Sequence, residues 1–168
     1  MHHRVGTCPR EDCRDGGLCG SRGSCLPHVK EGRCPCFLSR NQAGCAYVYL
    51  NYGMHWLLNF LVKEGSEDGF VLVRALEPLE GLDLMRRRRK QTRTELLCNG
   101  PAKLTQALGI RGHHHGGDPV DQKDWHLKSS MCGSGFSVEV STRIGITQAV
   151  DYPWRFMMKG SRFVSFSP

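Results

Sequence analysis

No run of apolar residues in this chain approaches the roughly 20 needed to cross a bilayer as a helix. A helical membrane anchor is therefore not expected. The start, Met1 to Gly6, lacks the apolar stretch of a secretory leader, so export is not expected and an intracellular location is. The sequence contains no Cys-x-x-Cys pair and no internal repeat. Cysteine is itself nearly absent from most of the chain. Seven of the nine fall at Cys8, Cys13, Cys19, Cys25, Cys34, Cys36 and Cys45, leaving only Cys98 and Cys132 beyond. That asymmetry marks a boundary after residue 45.

Residues 1–45 also lack aliphatic periodicity. Val5, Leu18, Leu26, Val29, Phe37 and Leu38 make neither a helical stripe nor an alternating strand, so little apolar area offsets the entropy of ordering them. Disorder is the default. A zinc module would need Cys or His pairs at tight spacing, which Cys34-Pro-Cys36 and the wider intervals do not provide. A disulfide framework would need an oxidising compartment. The composition best fits a stretch that was never selected as protein, through a misplaced start or a shifted reading frame.

The chain does carry charge of one sign in excess. A net +7 on 168 residues points to a polyanionic partner, with nucleic acid first. From Ala46 the pattern is that of one folded α+β domain, residues 46–168: a curved, largely antiparallel sheet with helices beside it.

Ala46 to Val62 reads as two strands around Tyr52-Gly-Met54, with Tyr47, Tyr49 and Asn51 on one face. Bulky Tyr52 and Met54 at a turn are either tucked under a neighbouring loop or presented as a wedge. Phe70–Leu76 reads as a third strand that places Arg74 among apolar neighbours. Its guanidinium is then held in an ion pair or aimed at a polar site.

A helix is predicted from Leu79 to Gln91, with Leu79, Leu82 and Met85 inward and Arg86–Lys90 at its basic end. Most of those cations suit a solvated face, and some could reach phosphates. Pro101 opens a second helix, Leu104, Ala107 and Leu108 line its buried side, and Gly109 ends it. Lys103, in the first turn behind a glycine, suits a phosphate. The polar loop 111–133 holds His113, His114 and His115, which point in different directions and suggest no metal site. Further strands are predicted at Phe136–Val140, Arg143–Thr147, Trp154–Lys159 and Arg162–Phe166.

Four of these segments, in order, resemble motifs of the alkyladenine (3-methyladenine) DNA glycosylases. They are Tyr47-Val-Tyr-Leu-Asn-Tyr-Gly-Met-His-Trp-Leu-Leu-Asn59, Leu72-Val-Arg-Ala-Leu-Glu-Pro-Leu-Glu-Gly81, Asn99-Gly-Pro-Ala-Lys-Leu-Thr-Gln-Ala-Leu108, and Arg143-Ile-Gly-Ile146 with Trp154-Arg-Phe156. The resemblance covers about Ala46 to Ser165, with a start near Phe37 left open. It implies a monomeric base-excision repair enzyme that acts on double-stranded DNA containing damaged purines. Such an enzyme hydrolyses the N-glycosidic bond of a flipped alkylated or deaminated base, without metal or cofactor.

It further implies roles for single residues. Tyr52 enters the minor groove beside Met54, Tyr49 stacks on the flipped base, and Tyr47 lines the pocket. Asn59 obstructs the exocyclic amine of normal guanine, while Arg74 and the Ile144 carbonyl hold the attacking water. Lys103 contacts the DNA backbone. The family's general base, a glutamate in a Glu-Ala-Tyr segment upstream, has no counterpart in residues 1–45, and the supporting elements that begin the family fold are missing there too. Three readings follow: a glycosylase by descent, a DNA-binding remnant without turnover, and a zinc-dependent nucleic-acid binder built on the first 45 residues.

Overall fold

A computed structural model describes residues 35–64, 67–120, 125–128, 137–147 and 150–164. The cysteine-rich stretch before Pro35, and with it the zinc, disulfide and disorder readings, lies outside these residues. So do Cys132 and Phe136. The described elements are α1 (Pro35–Arg40), β1 (Ala46–Asn51), β2 (His55–Glu64), β3 (Glu67–Leu72), α2 (Leu82–Arg89), α3 (Pro101–Leu108), β4 (Val138–Ser141) and β5 (Arg155–Met158). This is an α+β domain in which the strands of the described residues all pair antiparallel. Among the described residues the strands form two sheets, β1-β2-β3 and a β4-β5 ribbon.

The β1–β2 hairpin forms where the alternation of β-branched and aromatic residues placed it. Tyr47 pairs with Asn59, Tyr49 with Leu57 and Asn51 with His55, and β2 continues into β3 through Asn59–Leu72 and Leu61–Phe70. Because side chains alternate across a strand, this register sorts the sheet into two faces. Ala46, Val48 and Leu58 point to one face and are buried with Leu97, Cys98, Leu104, Ala107 and Ile110. Trp56, Phe60, Val73, Leu82 and Met85 complete that layer, so α2 and α3 cover this side. The opposite face carries Tyr47, Tyr49, Asn59, Leu61 and Phe70. There α1 supplies Phe37 and Leu38, which pack with Cys45 and Leu61. Phe37 therefore belongs to the packed unit, and the boundary expected after residue 45 falls inside it.

The helices are shorter than their sequence patterns. Gly81 adopts a left-handed conformation (φ 68°), which ends any helix entering from Leu79. α2 consequently begins at Leu82, and Leu79 is 78% exposed instead of facing inward. In α3, Pro101 takes the first turn and Gly109 the cap, as predicted. Its buried side is Leu104, Thr105 and Ala107, while Leu108 is exposed. Thr105 is polar yet tolerated in the core because its hydroxyl donates to the Trp56 carbonyl at 2.7 Å, tying α3 to β2.

Three strand predictions are also corrected. β3 ends at Leu72, so Arg74 and Leu76 lie beyond it outside regular secondary structure, and both are exposed. Val73 still donates to Leu58 (3.0 Å) and Leu76 to Cys98 (3.1 Å), which carries the segment from the sheet onto the helical layer. Residues 143–147 form an irregular loop, broken by left-handed Gly145 (φ 70°). Arg162 and Phe163 lie in a turn, in which the Phe163 amide donates to the Ser161 hydroxyl at 3.3 Å.

Candidate nucleic-acid interface

The hairpin projects its tip away from both covering layers. Tyr52 is 86% exposed and Met54 70% exposed, so neither is tucked under a loop among the described residues. Tyr52 also sits at φ 50°, a left-handed conformation that costs a non-glycine residue on the order of 1 kcal/mol. The amide of Met54 donates to the Asn51 carbonyl at 3.1 Å and closes the turn. A strained tyrosine and an exposed methionine are thus held rigidly at the end of a buried hairpin.

Behind the tip, the α1-side face gathers the other predicted pocket residues. Tyr47 and Tyr49 are neighbours at 5.6 Å between ring centroids, and Phe70 lies 4.6 Å from Tyr47. Asn59 is buried directly across from Tyr47, and its side-chain amide donates to the Tyr47 carbonyl at 3.3 Å. That bond fixes which way the carboxamide faces. Burial raises the Tyr49 phenol above its ordinary range, and nearby Tyr52 raises it further. Tyr49 is therefore neutral at physiological pH, a flat apolar ring with a polar tip.

Arg74 follows β3 toward the ribbon. The residue remains accessible to solvent, yet partial desolvation pulls its guanidinium below the ordinary value, and the cation of Arg155 on β5 adds to the effect. Two guanidinium groups brought near one another make a site that favours an anion or a water dipole. Ile144, half-buried, lies in the loop between β4 and β5, directly after Arg143. Lys103 is elsewhere: it lies on α3, the helix covering the opposite face, and its ammonium donates to the Asn99 side-chain oxygen at 2.9 Å.

The basic end of α2 is mostly committed to the fold. Arg86 reaches Asp83 (2.9 Å) and the Thr92 carbonyl (3.2 Å), and Arg88 donates to the Ala107 carbonyl (3.0 Å). Arg89 donates to the Leu97 carbonyl (3.2 Å) and to the Gln106 side chain. The cluster is thus largely a lock between α2 and α3. Arg87 and Lys90 are exposed, and no side-chain hydrogen bond or ion pair engages them among the described residues.

One contributor escaped the sequence reading. His115 places Nδ1 at 3.2 Å from the Val48 amide nitrogen and 2.9 Å from the Val48 carbonyl oxygen. Beside it, the Gly116 amide donates to the Ala46 carbonyl (2.8 Å) and the Ala46 amide to the Gly117 carbonyl (2.9 Å). The loop thereby covers the free edge of β1, with an imidazole standing where a strand residue would be. The ring packs on Tyr47 (5.2 Å) and Phe37 (4.7 Å), and burial lowers its pKa although the Val48 contact opposes the change. Its three-histidine sequence suggested only a polar loop. Among the described residues, no group of three or more His, Cys, Asp or Glu could hold a metal ion, and no helix is long and apolar enough to cross a membrane.

Comparison with known proteins fits this arrangement. The family model described as methylpurine-DNA glycosylase matches residues 38–162. A protein of Agrobacterium fabrum, provisionally named a 3-methyladenine DNA glycosylase, is 46% identical over 123 residues, covering 73% of this chain and 61% of its own length. Proteins of the same provisional name from Bradyrhizobium diazoefficiens and Nitrosospira multiformis are 45% and 42% identical, covering 73% and 71% of this chain. The chain spans about three fifths of the length of these relatives. The matched region contains the hairpin, the tyrosine-lined face, Arg74 and the β4–β5 loop, and this chain belongs to the methylpurine-DNA glycosylase family.

Proposed function

We propose that the chain captures damaged purines extruded from double-stranded DNA, using the exposed hairpin tip as a wedge and the tyrosine-lined face as the base pocket. The observation that carries this reading is the hairpin itself: Tyr52 and Met54 exposed at the tip, with Tyr49, Tyr47 and Asn59 on one face behind them. An apolar wedge fills the gap left by a flipped nucleotide and partly offsets lost stacking. Tyr49 supplies a stacking surface for the base. Asn59, oriented by its bond to Tyr47, obstructs the exocyclic amine of normal guanine and so disfavours the undamaged base.

Hydrolysis of the N-glycosidic bond proceeds with oxocarbenium character on the sugar, and a general base must activate water on the opposite face. Arg74 and the Ile144 carbonyl orient that water, and Lys103 contacts the backbone. The working unit is a monomer acting where the DNA is. The packed portion from Pro35 onward forms the glycosylase part, and the cysteine-rich residues before it are a separate, non-matching segment.

A second reading is favoured by one observation: the 168 residues contain no Glu-Ala-Tyr segment. On that reading the chain as written grips damaged DNA without turning it over. Loss of a general base costs about 10²–10⁴-fold in rate, so release of 3-methyladenine or hypoxanthine by purified residues 1–168 should stay at background. Binding to lesion duplexes should persist and fall steeply with salt, because phosphate contacts release counterions. Tyr52→Ala should weaken capture of a lesion in duplex DNA by a few kcal/mol, the scale of unstacking a base. The loss should shrink in a mismatch or a single strand. Robust base release would overturn the non-catalytic reading and direct attention to Glu11, Asp12 and Asp15. Salt-insensitive binding with no preference for the lesion would remove DNA as the partner.

A further inference from the structure

Tyr152 and Trp154 belong neither to the core nor to the base pocket, yet they are ordered against each other. Their rings stack with centroids 4.5 Å apart and planes inclined by 19°. They are 52% and 57% exposed. The local backbone sets this up: the Trp154 amide donates to the Tyr152 carbonyl at 2.8 Å, closing a three-residue turn centred on Pro153. Proline's restricted φ suits the centre of such a turn, so the rings are held side by side before any ligand arrives. The guanidinium of Arg143 lies 5.0 Å from the centre of the Trp154 ring. An exposed aromatic pair under a cation is costly to leave facing water and well formed for a flat, electron-rich partner.

We propose that Tyr152 and Trp154 form a second nucleobase-stacking site that receives an unpaired base of the DNA, outside the pocket for the damaged one. The proposal rests on the chain being a DNA binder, and charge selects this occupant over an apolar one. From Arg143 to Arg162 the chain carries Arg143, Arg155, Lys159 and Arg162 against Asp151, and although Arg162 pairs with Glu95 at 3.8 Å the stretch keeps an excess of positive charge. Aromatic faces flanked by cations match a base and its phosphates, and stacking of this kind tolerates any base because each has a π face. Placement agrees with this role. Arg143 immediately precedes Ile144, and Arg155 immediately follows Trp154 while its cation acts on Arg74. The platform therefore lies in the β4–β5 connection that also carries Ile144, next to the Arg155 whose cation acts on Arg74. A nucleotide unpaired by flipping, or its neighbour in a single strand, is the ligand that geometry suits.

The test titrates fluorescently labelled oligothymidylate with the full 168-residue chain, beside a lesion-containing duplex. Tyr152→Ala should weaken oligothymidylate binding by about 5- to 100-fold, the range for one base stacked on an aromatic ring. The slope of affinity against salt should stay unchanged, because no phosphate contact is lost. Tyr152→Phe should restore affinity, and Tyr152→Leu, which keeps apolar bulk without a π face, should not. Thermal melting checks that each variant is folded, which solvent exposure at this position favours. Parent-like binding by folded Tyr152→Ala and Trp154→Leu variants overturns the site. So does a chain that captures the lesion duplex but ignores oligothymidylate, an outcome that leaves the base-pocket reading standing. Loss of binding to both probes by the parent chain overturns both readings together. A concentration-dependent dimer that Tyr152→Ala dissolves would reassign the surface to contact between copies.

Discussion

Strand β2 and the β4–β5 ribbon use similar residues and end in opposite surroundings. β2 has a partner strand on each edge, α3 behind it and α1 in front, so Leu57, Leu58, Asn59 and Leu61 are all buried. In the ribbon, Val138 pairs with Met158 and Val140 with Phe156, which puts four large apolar residues on one face. All four are exposed. Alternation tells which residues share a face, but not whether another layer arrives to cover it. The ribbon's internal register is held by its own pairing, extended by the Lys159 amide donating to the Ser137 carbonyl at 2.9 Å. A lone two-stranded ribbon is marginal in water, so its local geometry depends on contacts such as Arg143 over Trp154.

The comparison predicts unequal costs for equal truncations. Leu61→Ala removes a side chain only 1% exposed and should cost about 2–5 kcal/mol in urea denaturation. Val140→Ala, on the open face of the ribbon, should stay within about 0.5 kcal/mol. Equal losses at the two positions would mean that the ribbon is packed in solution as tightly as the sheet. A smaller effect should come from Thr105→Val, which keeps the shape of the side chain but removes the donor to the Trp56 carbonyl. An unsatisfied buried acceptor costs about 1–3 kcal/mol. Ser141→Ala in the ribbon removes only a 3.4 Å contact to the neighbouring Thr142 carbonyl and should be near neutral. If Thr105→Val proves neutral as well, the tie between α3 and β2 is not the anchor it looks to be.

What the sequence disclosed and what it hid follow the same division. The hairpin, the Pro101 start and the Gly109 end were legible because periodicity, proline and glycine act over a few residues. The shared face of Tyr47 and Tyr49 was legible for the same reason. The start of α2 was not, because Leu79 fits a helical stripe and only the left-handed backbone at Gly81 excludes it. Nor were the partners of Arg86, Arg88 and Arg89, whose contacts with Ala107, Leu97, Gln106 and the chain after α2 depend on how the helices dock. The strand predicted at Arg143–Thr147 failed at Gly145, whose left-handed backbone interrupts the run. Asn59 could be singled out by family resemblance, but the bond that orients it is a tertiary fact. His115 was the least legible of all: its partner, Val48, lies 67 positions away.

That histidine supplies the smallest effect, and it separates the two regions by pH. Burial lowers the His115 pKa in the folded protein relative to its ordinary value of 6.5, so the unfolded chain takes up a proton more readily than the folded one. Stability from this group is therefore complete above the ordinary value and is lost as pH falls from there through the lower folded pKa. Thermal melting between neutral and mildly acidic pH should show the unfolding temperature declining over that interval. His115→Phe keeps an aromatic ring against Tyr47 and Phe37 but cannot titrate or bond to Val48. It should lower stability at neutral pH and remove His115's share of the decline. His115→Asn offers a donor and an acceptor to the Val48 carbonyl and amide, and should recover the neutral-pH stability without restoring that share. The ribbon has no counterpart to this edge clamp among the described residues, so the rings of Tyr152 and Trp154 should report no matching transition. An unchanged pH profile in both variants would show that His115 takes up its proton equally readily in the folded and the unfolded chain, against the burial argued here.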